Sequence, residues 1–194
     1  MTLFRKRYRI ESARLIGRDY AEPGAYFVTL CTKGKQCWFG EIRSGIVGLS
    51  DVGCIVAQEI QHTSCIRSHV ELDAWIVMPN HVHMIVRILP IENDDPVETA
   101  RRAVSTDVAE IVSLPRLKPQ SLGSIVGRIK AQATAKIRRS GFPEFAWQER
   151  FHDRIIRNDR TLQNIRTYIR NNPVRWEIDH AFTPFPPVSE ARAL

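Results

Sequence analysis

Hydrophobic positions dominate residues 75–88, WIVMPNHVHMIVRI, where Pro79 and Asn80 separate two apolar runs. Proline cannot donate a ladder hydrogen bond, and a Pro-Asn pair is typical of turns. We therefore predict two antiparallel strands, over residues 70–77 and 81–89, joined by a tight turn. The rest of the chain is organised around this strand pair.

Three further β-elements follow from the same kind of pattern. Residues 25–32, AYFVTLCT, are rich in β-branched and aromatic side chains and predict the first strand. Residues 37–49 hold two short apolar runs around Ser44-Gly45, which indicates a hairpin. Residues 145–155, FAWQERFHDRI, predict another strand.

Three helices are predicted from apolar residues at helical spacing. The first begins after Ser50, a good N-cap, and runs to about Cys65. The second follows Ser121 and ends at Gly141 and Pro143. The third follows Asn158 and closes at Pro173, because the residue before a proline resists the helical conformation. Its apolar positions are Leu162, Ile165 and Ile169.

The central order of these elements is β-α-β-β-α-β, which is the ferredoxin-like pattern. We predict an α+β fold, with an antiparallel sheet carrying helices on one face. The two histidines of the strand pair would lie on the open face, and the last helix, the candidate catalytic helix, would cross that face to meet them.

A single domain is expected over residues 1–194, with its core at about 20–176. A basic N-terminal arm, 1–20, would precede the core, and an irregular tail, 174–194, would follow it. Residues 90–120 form a long insert, which is usually functional or disordered. Within the insert, residues 108–114 could form a short helix.

Composition changes this picture in one respect, which is charge. The chain is 43% hydrophobic and 25% charged, an ordinary globular composition, but its net charge is +7. That excess favours a polyanionic partner. No apolar run reaches the roughly 18 residues of a membrane span, and the N-terminus lacks the apolar core of a signal peptide. The four cysteines form no C-x-x-C pair, so we expect free thiols, as in a reducing compartment, and a cytoplasmic protein without a membrane partner.

The first candidate chemistry is the pair His81 and His83. Alternate residues of a strand share a face, so the two imidazoles leave the turn side by side, in a geometry that can chelate one metal ion. The alternative is that they are ordinary core or surface residues. Burying two imidazoles in a hydrophobic strand is costly without partners, which weakens that alternative.

The second candidate chemistry lies on the last helix. Tyr168 flanks its apolar stripe, and Asn172 faces the same way four residues later. A hydroxyl and an amide could therefore approach a metal from the side opposite the imidazoles. Alternatively, Tyr168 is a packing residue with a solvated hydroxyl.

Basic side chains are the candidate DNA contacts, although each could equally be part of a solvated face. They belong to the N-terminal arm, to the second helix and to the last predicted strand. The residues are Arg5, Lys6, Arg7, Arg128, Lys130, Lys136 and Arg154. His152, beside Arg154, is interpreted as structural.

Three motifs follow one another along the chain: WIVMPNHVHMIV, WQERFHDRIIRN and TYIRNNPV. In this order and spacing they resemble the motifs of the REP-associated tyrosine transposases. These are relatives of the single-tyrosine transposases in the HUH nuclease superfamily. The resemblance spans roughly residues 8–176 and implies a metal-binding pair at His81 and His83. It also implies a nucleophile at Tyr168 and a third metal ligand at Asn172. The long insert departs from the compact family pattern.

The resemblance further implies a substrate and a cofactor. The family acts on single-stranded DNA that carries hairpins of repetitive extragenic palindromes, with Mg²⁺ or Mn²⁺. It cuts and rejoins strands through a covalent 5′-phosphotyrosine. Two other functions stay open at this point: a hairpin-binding protein that no longer cuts, and a metal-dependent hydrolase whose nucleophile is water. Whether the protein is a monomer or a homodimer, and whether Tyr168 docks within its own chain, also stay open.

Overall fold

A computed structural model describes residues 17–90 and 118–178. Its strands are β1 (Gly24–Cys31), β2 (Gly40–Arg43), β3 (Ile46–Leu49), β4 (Val70–Met78), β5 (His81–Ile88) and β6 (His152–Ile156). Its helices are α1 (Asp51–Ile66), α2 (Leu122–Arg139) and α3 (Asp159–Ile178). The N-terminal arm through residue 16, the predicted helix at 108–114 with most of the insert, and the tail beyond 178 lie outside the described residues.

Four strands form one antiparallel sheet in the order β4-β5-β1-β6. With the crossovers through α1 and α2, this is the predicted ferredoxin-like arrangement, and the predicted α+β fold class is confirmed. The hairpin of β2 and β3 forms a separate two-stranded sheet. Its turn residues Ser44 and Gly45 have φ values of 51° and 72°, the left-handed pair that a two-residue hairpin turn requires.

The sheet has a different partner on each face. One face packs on α1 and α2, where alternate strand residues such as Val28, Val82 and Met84 join the main core. The other face carries a smaller cluster with α3, built on Ile85, Ile165 and Ile169. Val82 and Met84 point into the main core, and His81 and His83 occupy the face that α3 crosses, as predicted for the two histidines.

The predicted strand at 145–155 is wrong in its first half. Only His152–Ile156 form a strand, and Trp147 makes an isolated bridge with Thr32. Phe145 and Trp147 are buried in the main core, where their ring centroids are 5.4 Å apart. These aromatic residues suggested a strand because of their composition. They lie instead in an irregular segment and pack into the core.

Pro173 does not end α3, contrary to the prediction. The helix continues to Ile178, although proline cannot donate to the carbonyl four residues earlier. Tertiary packing explains the extension, because Pro173 is buried and Val174 lies against Gly45 of the β2–β3 hairpin. The first residues of the predicted irregular tail are consequently helical.

Candidate active site on the open face of the sheet

The strand register fixes where the two histidines lie. His83 on β5 pairs with Thr29 on β1 and with Ile76 on β4, at the centre of the sheet. His81 is two residues closer to the turn and pairs with Cys31 and Met78. The ring centroids of His81 and His83 are 4.5 Å apart, so the predicted side-by-side arrangement is present.

Asn80 in the turn orients the His81 ring. Its amide nitrogen donates to the carbonyl oxygen of Lys35 at 3.0 Å, so its Oδ1 is the atom 2.7 Å from His81 Nδ1. An amide oxygen only accepts, and His81 Nδ1 must therefore carry the ring proton. This leaves Nε2 of His81 with its lone pair, as metal binding requires.

His83 lies between a threonine and the tyrosine of α3. Its Nδ1 is 2.9 Å from Thr29 Oγ1, and its Nε2 is 3.3 Å from the hydroxyl of Tyr168. Phe27 stacks on the imidazole at 5.2 Å and meets the Tyr168 ring edge-on. Two neighbours from β1 thus hold the ring and aim Nε2 at the tyrosine.

Burial keeps both imidazoles neutral near pH 7. Desolvation lowers the pKa of His81 to about 4, partly offset by a hydrogen bond with Asn172. Desolvation also lowers the pKa of His83 to about 3, and the neighbouring His81 lowers it further. Neutral imidazoles retain the lone pairs that a metal ligand needs.

These shifts predict a specific acid sensitivity of the fold. Unfolded histidines bind protons below about pH 6.5, whereas the folded ones do not until about pH 4 or 3, so the unfolded state gains protons first. The free energy of unfolding should fall as the pH drops below 6.5, by at most roughly 1.4 kcal/mol per pH unit for each histidine. Urea titrations from pH 7 to 4.5 measure it.

The control is the double variant His81→Gln, His83→Gln, which removes both titrating groups and retains polar side chains. It should show a flatter pH response over the same range. An identical acid response in the double variant would mean that other groups cause the destabilisation and that the two imidazoles are not protected from protonation.

Helix α3 supplies the opposite side of the site through residues four apart. Tyr168 contacts His83, while Asn172 hydrogen-bonds the His81 ring. Trp176, one turn further, lies 5.6 Å from the same ring. Tyr168 is 37% exposed while His83 and Asn172 are 5% and 7% exposed, so the hydroxyl-bearing residue is the accessible one. All these contacts lie within one chain.

An ion pair ties α3 to the edge strand β4. Arg166 donates from Nε and Nη2 to the two oxygens of Asp73, at 2.6 and 2.5 Å. The register of β4 shifts between Leu72 and Trp75, so Asp73 and Ala74 both face α3. The adjacent guanidinium lowers the pKa of the Asp73 carboxyl, which therefore stays charged. This pair anchors the helix two residues before Tyr168.

The predicted DNA contacts separate into two groups. Arg154 on β6 is exposed. It pairs with Phe27 on β1, so it lies on the same face of the sheet as the histidines. Arg128, Lys130 and Lys136 are on α2, behind the sheet. Arg5, Lys6 and Arg7 lie outside the described residues.

Two lysines of α2 already have partners within the protein. Lys130 is half-buried and donates to the carbonyl oxygen of Gln148, which supports the irregular segment before β6. Lys136 pairs with the buried carboxylate of Glu59 on α1. Arg128 is the one of the three that is exposed without such a contact among the described residues.

Sequence reasoning missed several residues that surround the histidines. Asn80 sits in the motif itself, and Trp176 continues the four-residue spacing from Tyr168 and Asn172, so both had a usable signal. Lys35, whose charge contributes to the low pKa of His81, follows β1 in the pattern Lys33-Gly34-Lys35. Thr29 had none, because its contact depends on the register of distant strands.

A metal ion on this face of the sheet would need at least one ligand that is not a His, Cys, Asp or Glu side chain. Within residues 17–90 and 118–178, no group of three or more His, Cys, Asp or Glu side chains could hold one. The donors that do converge are two neutral imidazoles and the amide of Asn172. Such a neutral, three-donor set is compatible with a divalent cation whose remaining positions are open to other ligands.

Two known proteins resemble this chain over most of its length. An uncharacterised protein of Haemophilus influenzae is 33% identical over 173 residues, spanning 88% of this chain and 92% of that protein. Another protein of the same bacterium, named "Putative REP-associated tyrosine transposase", is 26% identical over 165 residues, spanning 81% of this chain and 74% of that protein. No protein-family model matches the chain.

A solved structure shares the fold. It is the structure of a REP-associated tyrosine transposase bound to a REP hairpin, with a TM-score of 0.53 and 23% identity, covering 84% of this chain and 74% of that chain. None of the helices in the described part of this chain is long and apolar enough to span a membrane.

Proposed function

We propose that the chain is a REP-associated tyrosine transposase, as a relative with 26% identity is named, and that it cuts and rejoins single-stranded DNA at hairpin-forming palindromic repeats through a 5′-phosphotyrosine. The observation that carries the proposal is the exposed Tyr168 hydroxyl, 3.3 Å from His83 Nε2, beside the His81 and Asn172 donors of the same chain. The solved relative that is bound to a REP hairpin supports the choice of substrate.

In the proposed reaction, the Tyr168 oxygen attacks a backbone phosphorus atom. The new bond joins the tyrosine oxygen to the phosphorus, the bond to the 3′ oxygen breaks, and the 3′ hydroxyl leaves with a proton. The phosphotyrosine retains the energy of the broken ester, so a 3′ hydroxyl can reverse the step and join strands. Phe27 and His83 hold the attacking ring in place.

Mg²⁺ or Mn²⁺ would be held by His81, His83 and Asn172, and when bound it would neutralise charge on the phosphate and orient its oxygens. Asn80 contributes by fixing the tautomer of His81, and burial contributes by keeping both rings unprotonated. A neutral tyrosine hydroxyl is a weak nucleophile on its own, so Tyr168 needs this environment to attack a phosphodiester.

The direct test is a cleavage assay on single-stranded hairpin DNA with Mn²⁺, followed by denaturing electrophoresis for protein-linked DNA. The proposal requires both cut strands and an adduct that survives denaturation. A hairpin-binding protein that no longer cuts would give tight binding and no products. Cleavage without an adduct would indicate a water nucleophile.

The ion pair between Asp73 and Arg166 should be needed for cutting and not for binding. Asp73→Asn keeps the shape of the side chain but removes the charge that holds α3. We expect the single-turnover cutting rate to fall roughly 10- to 100-fold, since small misplacements of a nucleophile are costly. Affinity for the hairpin, measured by fluorescence anisotropy, should change less than about twofold.

Glu71→Gln is the matched control for that variant. It breaks the ion pair of Glu71 on β4 with Arg87 on β5, which is about half-exposed and does not involve α3. Such exposed pairs contribute little, so cutting should stay near the wild-type rate. Equal losses in both variants would show that the anchoring of α3 is not what matters.

Binding should weaken steeply with salt if the basic residues meet phosphates. Four contacts with a single strand would lower affinity roughly 50-fold between 50 and 200 mM salt. Hairpin DNA with single-stranded flanks should bind better than plain duplex. A flat salt response, or equal affinity for a random duplex, would contradict the proposed substrate. In the same assay, Arg128→Gln tests whether α2, behind the sheet, reaches the DNA.

A further inference from the structure

Between β6 and α3 lies a groove of about 440 Å³, which we will call the β6–α3 groove. Its lining consists of Phe27, Thr29, His152, Asp153, Arg154, Asn164, Ile165 and Tyr168. We propose that this groove binds one nucleobase of the single strand, that of a nucleotide flanking the phosphate that Tyr168 attacks. The inference rests on the proposed function and adds a recognition site to it.

The strand register makes the groove a continuation of the candidate active site. Thr29 pairs with His83 on one side and with His152 on the other, so the three residues form one row across the sheet. Phe27 pairs with Arg154 in the next row. His152 and Arg154 therefore share the face of the imidazoles, and a strand leaving the active site in this direction passes over them.

The walls of the groove suit a flat, partly apolar ligand. Phe27 and Ile165 give it apolar surface, and the volume is in the range of pockets that hold small organic ligands. Bases of single-stranded nucleic acids commonly stack on aromatic side chains such as Phe27. Because Tyr168 lines the groove, an extended strand whose phosphate lies at the Tyr168 hydroxyl can place an adjacent nucleotide in it.

Three polar residues of the groove are available for such a ligand. Within residues 17–90 and 118–178, the side chains of His152, Arg154 and Asn164 make no hydrogen bond or ion pair, and all three are exposed. The amide of Asn164 presents a donor and an acceptor, which can pair with the edge of a base. Arg154 and His152 stand at the sheet side, where a guanidinium can meet the neighbouring phosphate.

These features distinguish the groove from the other cavities. A cavity beside Asp73 and Arg166 is lined by residues already committed to anchoring α3. Another, between α1 and α2, lies behind the sheet and contains the Glu59–Lys136 pair. The β6–α3 groove combines contact with Tyr168, an aromatic wall and unpaired polar groups.

The test measures binding, so it does not depend on cutting. In a Tyr168→Phe background, each unpaired nucleotide of a hairpin DNA is replaced in turn by an abasic one, and affinities are measured by fluorescence anisotropy. One position should lower affinity roughly fivefold or more, the loss expected for an unstacked base. With Asn164→Ala added, the penalty at that position should shrink at least about twofold, because the amide contact with the base is lost while the stacking on Phe27 remains.

Gln163→Ala is the matched control, since it removes an exposed amide from the neighbouring position of α3, outside the groove. It should leave the full abasic penalty. In the protein that retains Tyr168, the sensitive nucleotide should adjoin the phosphate that becomes linked to the tyrosine.

The outcomes separate this inference from the proposed function. Hairpin binding without any position that responds to Asn164→Ala overturns the groove alone. A responsive position distant from the linked phosphate also overturns it. Binding with the expected coupling, but without cleavage, supports the groove and contradicts the nuclease. The absence of hairpin binding overturns both.

Discussion

Tyr168→Phe should abolish cutting and adduct formation while the protein still folds and binds hairpin DNA. The substitution removes one hydroxyl and keeps the ring that packs edge-on against Phe27 and His83. The lost hydrogen bond to His83 is 3.3 Å long and partly exposed, so stability should change by about 1 kcal/mol or less. Loss of the nucleophile should lower the cutting rate by several orders of magnitude.

Tyr26→Phe is the matched control for the missing hydroxyl. The hydroxyl of Tyr26 donates to the carbonyl oxygen of Glu22, and its ring lies in the main core. That variant should lose some stability and still cut. Mass spectrometry of the wild-type adduct should place the DNA on Tyr168. Linkage to Tyr8, Tyr20 or Tyr26, or efficient cutting by Tyr168→Phe, would overturn the nucleophile assignment.

The parts of the fold that were predictable have local causes. Pro79-Asn80 between apolar runs gave the β4–β5 turn, and alternation gave the faces of that hairpin. Ser50 accepts a hydrogen bond from the backbone at the start of α1, as its prediction as an N-cap indicated, and Ser121 does the same at the start of α2. In each case the determining contacts are within a few residues of one another.

The parts that were wrong depend on distant contacts. Phe145 and Trp147 have strand-like composition, but their environment is a set of aromatic rings from other parts of the core. Pro173 carries a strong local stop signal, which packing against the β2–β3 hairpin overrides. From the sequence alone, Lys130 resembles any solvated surface lysine. The structure shows that its amine donates to the carbonyl oxygen of Gln148.

The candidate site divides in the same way. His81 with His83, and Tyr168 with Asn172, were each found by spacing, because strand and helix periods place such residues on one face. That the two pairs meet depends on how α3 crosses the sheet, which the Asp73–Arg166 contact fixes. Ninety-three positions separate these two residues, and a β-bulge is needed to present the carboxylate. A single sequence contains no local signal for such a contact.

His81→Ala should abolish metal-dependent cutting and leave most of the hairpin affinity. The variant removes one of two imidazoles whose rings lie 4.5 Å apart, so a divalent cation would lose a ligand. Asn172 would also lose its hydrogen bond to the His81 ring. Phosphate contacts elsewhere supply most nucleic-acid affinity and should persist. Calorimetric titration with Mn²⁺ gives a readout independent of catalysis, and binding should weaken at least about tenfold.

His62→Ala is the control, because His62 is an exposed imidazole on α1, behind the sheet and away from Tyr168. It should bind Mn²⁺ and cut like the wild type, which separates loss of a specific ligand from loss of any histidine. Retained Mn²⁺ affinity with lost cutting in His81→Ala would give that ring a role in catalysis other than metal binding. Retained Mg²⁺-dependent cutting would remove His81 from the mechanism, because the cation would then act without that imidazole as a ligand.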